Sequence, residues 1–126
     1  DTLPGTCPFH GGCVEGLISG PAIAARAGSP GEILDEMHPI WNQVVHVLAR
    51  LVHTIVLTGA SERVALGGGV LAARPELVAR VDAAARASLG GYAQASFEIG
   101  PPLLGDQAGP LGALAVAMDA QGAAAA

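Results

Sequence analysis

The run HPIWNQVVHVLARLVHTIVLTG, residues 38–59, constrains the fold of this chain more than any other stretch. Apolar residues recur at Trp41, Val44, Val45, Leu48, Leu51, Val52 and Ile55, the spacing of one face of a helix. Pro39 suits the first turn and Gly59 fits just past the end. Burying each leucine or valine of that stripe contributes roughly 1.5–3 kcal/mol, so this helix is expected to anchor the core. His46, Arg50 and His53 fall on its polar side. A cation between two histidines argues against a metal pair, and the three read as a solvated or subunit-facing stripe. Residues 40–57 are also the longest membrane candidate. Asn42, Gln43, His46, Arg50 and His53 interrupt them, which argues against a span.

The segments around this helix alternate between helix and strand. Residues 1–12 are turn-rich, with Pro4, Gly5, Pro8, Gly11 and Gly12. Val14 to Ala27 is patterned as a helix, broken near Gly20, with Pro21 opening a second turn. GSPGE (28–32) reads as a loop. RVALGGGV (63–70) reads as a short strand running into a glycine turn. Residues 74–91 read as a second main helix, with Pro75 and Glu76 in its first turn and Gly90-Gly91 as its stop. ASFEIGPP (95–102) predicts a second strand ended by prolines. Residues 106–120 predict a third helix, followed by a frayed alanine tail. The order helix, strand, helix, strand, helix predicts an α/β layer with a parallel pair. Two strands make a thin sheet, so the 126 residues are expected to be part of a larger domain.

Charge excludes one class of partner. The basic residues are all arginine (Arg26, Arg50, Arg63, Arg74, Arg80 and Arg86) and are scattered, against a formal net charge of −5. A nucleic-acid surface requires clustered basic groups, so no nucleic-acid role is expected. The opening Asp-Thr-Leu-Pro-Gly lacks a secretory pattern, and the absence of an initiator methionine sets the expected start of the protein upstream. Reduced thiols and a cytoplasmic location are therefore expected.

CPFHGGC (7–13) holds the densest chemistry. Cys7, His10 and Cys13 on a tight loop can aim two thiolates and an imidazole at one point, as tetrahedral zinc requires. Structural zinc contributes roughly 10–16 kcal/mol in small finger peptides, enough to clamp a loop otherwise poorly held. The alternative, two buried free cysteines beside an incidental histidine, fits this spacing less well. A closed site needs a fourth ligand, and His38 is the one other loop histidine. Glu15 follows in the first turn of a helix. It reads either as a carboxylate held for a polar ligand or as a complement to the helix N-terminus. LGGGV (66–70) ends a strand with three glycines, which admits close approach of a ligand or simply makes a tight turn. It matches neither the P-loop nor the dinucleotide fingerprint. GDQAG (105–109) opens a helix with small residues, Asp106 being a plausible N-cap.

Together, GTCPFHGGCVEGLISGPAI, VALGGGV and LLGDQAGPLGALA resemble, in order and over nearly the whole chain, the C-terminal part of a ROK-family sugar kinase. The Cys-x2-His-x2-Cys spacing followed by Glu-Gly-Leu and Ser-Gly-Pro-Ala resembles the bacterial fructokinase branch, whereas many ROK glucokinases and repressors carry Cys-x-Cys-x4-Cys. The resemblance implies an actin-like (ribonuclease H-like) α/β lobe with helices on a short parallel sheet. Residues 1–13 would form a zinc loop and residues 14–126 an incomplete lobe, the N-terminal lobe being absent.

It further implies that Cys7, His10 and Cys13 are three of four ligands to a structural Zn2+, the fourth being a histidine upstream. Glu15 would contact a sugar hydroxyl. Pro21, Gly67, Gly68, Gly69, Gly105, Asp106, Gln107, Ala108 and Gly109 would line the site of ATP with Mg2+. Pro110 departs from the family's aliphatic residue, which affects the contacts at that helix start. The phosphate-binding Asp-x-Gly-Gly-Thr motif and the catalytic aspartate of the family lie in an N-terminal half, so the chain is expected to be inactive by itself. The expected partners are that N-terminal half, a sugar (fructose foremost), ATP and a second copy in a homodimer. Another ROK hexokinase for glucose, mannose or an N-acetylhexosamine, a ROK repressor's sugar-sensing domain, and a stand-alone zinc module that uses His38 are the alternatives. As an isolated half-lobe, the chain is expected to expose apolar strand edges and the stripe of the long helix.

Overall fold

The computed structural model describes residues 4–92 and 97–124. Helix α1 (Val14–Ile18) follows the cysteine loop and ends at Ser19, whose extended backbone (ψ 158°) separates it from α2 (Gly20–Ala27). Pro21 lies in the first turn of α2, where its missing N–H is harmless. Gly28 closes α2 in the left-handed conformation (φ 73°). An irregular connection with one tight turn at Gly31–Ile33 leads to the long helix α3 (Ile40–Gly59). Strand β1 (Arg63–Ala65), two helices α4 (Gly69–Ala73) and α5 (Glu76–Leu89), and strand β2 (Glu98–Gly100) follow. A turn at Gly105–Gln107 then opens α6 (Ala108–Ala124).

The stripe of α3 is buried. Trp41, Val44, Val45, Leu48 and Val52 pack with Leu77, Val81, Ala85 and Leu89 of α5, while Leu51 and Ile55 are half-buried. Val47 and Ala49 are buried as well, because α1 covers a second side of the helix. His53 therefore does not belong to a solvated stripe: its Nδ1 lies 2.8 Å from Ser88 Oγ on α5, whereas His46 and Arg50 are exposed. By length and mean hydropathy (1.3), α3 does meet the minimum for a membrane span, contrary to the reading of its polar interruptions. Half of that window is buried inside the fold, which is what an apolar central helix of an α/β layer requires.

The two strands pair in parallel, with Arg63 opposite Glu98, Val64 opposite Ile99 and Ala65 opposite Gly100. Arg86 joins α5 to the start of β2, donating from Nη2 to Phe97 O at 2.8 Å with its guanidinium 4.5 Å above the Phe97 ring.

Several boundaries differ from the sequence expectation. Helix α3 includes Gly59, and Ala60 takes the left-handed cap (φ 47°). Within 63–70 the short strand is Arg63–Ala65 and the backbone turns at Gly68 (φ 102°) as expected, but the short helix α4, which begins at Gly69, was not. Of the expected strand 95–102, only Glu98–Gly100 is extended, and residues 95–96 lie outside the described residues. Helix α6 starts at Ala108 rather than 106, so Asp106 sits inside the preceding turn and does not occupy an N-cap. The helix runs on through Ala124, past the expected frayed end. The stripe of α3 is covered, whereas α6 exposes Leu111, Leu114, Val116 and Met118, and loop residues such as Phe9, Met37 and Leu103 are exposed as well.

Candidate functional site

The cysteine loop folds back on itself before α1 begins. Cys7 and Gly11 exchange backbone hydrogen bonds, Gly11 N–H to Cys7 O at 2.9 Å and Cys7 N–H to Gly11 O at 3.3 Å. Gly11 turns the chain with φ 54°. Cys13 is the N-cap of α1, and its Sγ accepts from Gly16 N–H at 3.4 Å. The loop docks on the helix through Thr6 N–H, which donates to Gly16 O at 2.9 Å. Gly5 read only as a turn residue and Gly16 only as part of Glu-Gly-Leu, yet glycine is required by contact at both. A Cβ on either would sit 2.0 Å from Gly11 O.

This scaffold brings Cys7, His10 and Cys13 together, with one ligand atom of each within 4.8 Å of the others. Cys7 Sγ lies 3.8 Å from His10 Nδ1, close to the edge of a tetrahedron around zinc with bonds of about 2.0–2.3 Å. The backbone N–H groups of His10 and then Phe9 are directed at the Cys7 sulfur and hold its thiol below the ordinary cysteine range. Both cysteines are free thiols. A soft donor set of two sulfurs and one imidazole, three corners of a tetrahedron, fits zinc. Among the described residues no fourth Cys, His, Asp or Glu joins the group. His38 is engaged elsewhere, its Nδ1 accepting from Ile40 N–H at 3.2 Å at the start of α3.

Two residues beyond Cys13, Glu15 stands in the first turn of α1 and is exposed. It lines a cavity of about 490 Å³ together with Ser19 and Gly20, Gly31 and Glu32, the glycine loop Gly67–Gly69, and Arg74. Trp41 and Leu48 of α3 supply apolar surface there, as do Val70 and Leu71. A polar rim on an apolar floor is the usual form of a small-molecule site. A second cavity, of about 590 Å³, opens on the other side of the same glycines. It is lined by Gly67–Gly69, Gly100–Pro102, Gly105 and Asp106. The loop thus forms a partition with exposed backbone on both sides, and side chains here would close it. A Cβ on Gly67 would meet Pro102 at 3.1 Å, and Gly68 has a backbone that L-residues rarely adopt.

Not every expected residue joins these cavities. Pro21 is exposed in α2 and lines neither, while its neighbours Ser19 and Gly20 line the first. Gln107 and Gly109 are exposed and line neither, and Ala108 lines a shallower recess beside the two strands. Gln107 ends the turn before α6 and Ala108 and Gly109 open that helix, which carries no buried residue among its described side chains. Glu32 and Arg74 entered the cavity unannounced. Both lie in segments without a motif, and only tertiary folding brings them to the glycine loop.

The sequence profile of the ROK family matches residues 1–120. The putative fructokinase of Bacillus subtilis (strain 168) is 33% identical over 126 residues, covering 95% of this chain and 42% of its own length. The fructokinase of Zymomonas mobilis subsp. mobilis is 38% identical over 124 residues, covering 93% of this chain and 40% of its own length. That of Lactococcus lactis subsp. cremoris is 39% identical over 80 residues, 64% of this chain and 27% of its own length. The chain spans less than half the length of these curated relatives.

Proposed function

Because the chain belongs to the ROK family, we propose that it is the C-terminal segment of an ATP-dependent fructokinase with an actin-like fold. The reaction is D-fructose plus ATP giving D-fructose 6-phosphate plus ADP. The γ-phosphoryl group passes to the sugar 6-hydroxyl, whose proton goes to an aspartate of the N-terminal half acting as general base. The observation that carries this reading is the shared cavity: Glu15, two residues from the metal loop, and the glycine loop 67–69 line the same space.

In this reading Glu15 accepts a hydrogen bond from a sugar hydroxyl. Its position is fixed because Cys13 both caps α1 and ligates zinc. Cys7, His10 and Cys13 would hold a structural Zn2+ together with a histidine of the N-terminal half, and the metal would stabilise the loop without entering the reaction. Gly67, Gly68 and Gly69 offer backbone N–H groups to the nucleotide phosphates from one side, and Gly105 and Asp106 approach from the other. Gln107, Ala108 and Gly109 complete that wall once the N-terminal half covers α6. Pro21 acts indirectly, by starting α2 so that Ser19 and Gly20 face the cavity. Mg2+ accompanies ATP and neutralises charge on the transferring group. The exposed apolar side chains of α6 support a partner, the N-terminal half or a second copy in a homodimer. Free thiols and a thiolate-based metal site favour the reducing cytoplasm.

The test is ADP release across fructose, glucose, mannose and N-acetylglucosamine, using the polypeptide that joins this chain to its N-terminal half. Fructose is expected to be preferred. Glu15→Gln is expected to lower kcat/KM for fructose by about 10- to 100-fold, the worth of a hydrogen bond to a charged group. Preference for glucose or an N-acetylated sugar would reassign the substrate. An unchanged kcat/KM in Glu15→Gln would remove Glu15 from the sugar site.

A further inference from the structure

The connection between α2 and α3 has little regular structure, yet it forms part of the cavity wall through Gly31 and Glu32. One side chain from a distant segment holds it. Arg74, directly after α4, donates from Nη2 to Gly31 O at 3.1 Å and also to Leu34 O. Its guanidinium carbon lies 4.8 Å from the centre of the Trp41 ring, and Nη1 lies 4.0 Å from Glu76 Oε1. Trp41 extends the clamp, its Nε1 donating to Asp35 O at 2.9 Å. Gly31 must be small for this to close, since a Cβ there would meet Trp41 Cη2 at 3.3 Å.

The Arg74 side chain is only 15% exposed, so its charge requires partners. Two carbonyls, a ring face and a carboxylate supply them. Its Nη2 is committed to the two carbonyls, so that group acts on a ligand through the turn that it holds. What it holds is the gap between two walls of one cavity: Gly31 and Glu32 on one segment, the glycine loop and α4 on the other. The floor between them is apolar, from Val70 and the edges of the buried Leu48, Leu71 and Trp41, whose ring Arg74 stacks on, and it suits the apolar face of a heterocycle. Lysine cannot substitute fully, because a single ammonium gives neither the planar fork nor the stack on Trp41.

Resting on the kinase reading above, we infer that Arg74 is a positioning residue for the nucleoside part of ATP. It fixes the 31–34 turn against α4, and so sets the width of the part of the cavity between Glu32 and the glycine loop, which receives base and ribose while Glu15 serves the sugar. Glu32, on the held turn, is the carboxylate placed to accept from the ribose hydroxyls.

The test uses Arg74→Met and Arg74→Lys in the polypeptide that joins this chain to its N-terminal half, with KM for ATP, KM for fructose and kcat measured separately. The ATP KM is expected to rise about tenfold in Arg74→Met and about threefold in Arg74→Lys, with kcat and the fructose KM within about twofold of wild type. An unmoved ATP KM overturns the inference. So does a fructose KM that rises by the same factor, as general loosening of the fold would give. Should Arg74→Met not fold, Arg74→Lys carries the same comparison. A wild type that transfers nothing from ATP to fructose overturns the kinase reading and this inference with it. An active wild type with unmoved variants overturns the inference alone.

Discussion

Gly16→Ala is expected to weaken zinc binding without replacing a ligand. The added Cβ would lie 2.0 Å from Gly11 O and 2.9 Å from both the Cys7 Cβ and the Cys7 backbone nitrogen. Ordinary contact needs well over 3 Å, so the loop must retreat from α1 by about 1 Å. The obstacle is backbone on both sides, which cannot swing away as a long side chain would. Overpacking of this kind costs about 1–3 kcal/mol, and loss of the Thr6–Gly16 hydrogen bond adds about 1 kcal/mol. Alanine's better helix propensity returns about 1 kcal/mol, so destabilisation wins. Cys7 retreats with the loop while Cys13 stays at the cap of α1. A metal site tolerates ligand displacements of about 0.2 Å. Zinc affinity should therefore fall about 10- to 100-fold, as read by competition with a chromogenic chelator. Gly112→Ala, where a Cβ meets nothing within 4 Å, is the matched control and should bind as wild type. A Gly16→Ala protein with zinc affinity within twofold of wild type would refute the close-approach reasoning.

Three further outcomes follow from local features. In zinc-free protein, the directed N–H groups of His10 and Phe9 favour the Cys7 thiolate, so its alkylation by iodoacetamide should reach half-rate at a lower pH than a free cysteine. By linkage, a depressed thiol pKa stabilises the folded loop above the unfolded cysteine's pKa, and that contribution fades as pH falls through the folded value. A half-rate pH above the free-cysteine value would count against this. Ala60→Gly should raise the melting temperature, since a non-glycine cap at φ 47° costs about 1–2 kcal/mol and glycine removes most of it. A lower melting temperature would show that Ala60 is held by contacts the cap geometry does not explain. Gly68→Ala, at φ 102°, should weaken ADP binding at least tenfold by calorimetry, because the loop must leave its conformation. Unchanged affinity would place the phosphates elsewhere.

Local patterns determined much of this protein. The period of α3 named its buried face, because a helix repeats every 3.6 residues wherever it sits. Proline and glycine located the break at Ser19 and the ends of α2 and α5, since their backbone limits are intrinsic. The spacing of Cys7, His10 and Cys13 sufficed to converge them, because seven residues of turn leave few other arrangements. Tertiary structure decided the rest. Glycine rules placed the end of α3 at Gly59, but the helix includes that residue and the left-handed cap falls on Ala60. The run after β1 reads as a glycine turn, yet three glycines impose no conformation of their own, and the helix α4 forms where Leu71 finds the core. The steric need for glycine at positions 5 and 16 gave no signal, because the Gly11 carbonyl that forbids a side chain there arrives only on folding. Arg74 meets Gly31 across 43 residues of chain. Periodicity and spacing report what a residue does to its near neighbours, whereas a cavity wall is built by residues that become neighbours only in the folded state.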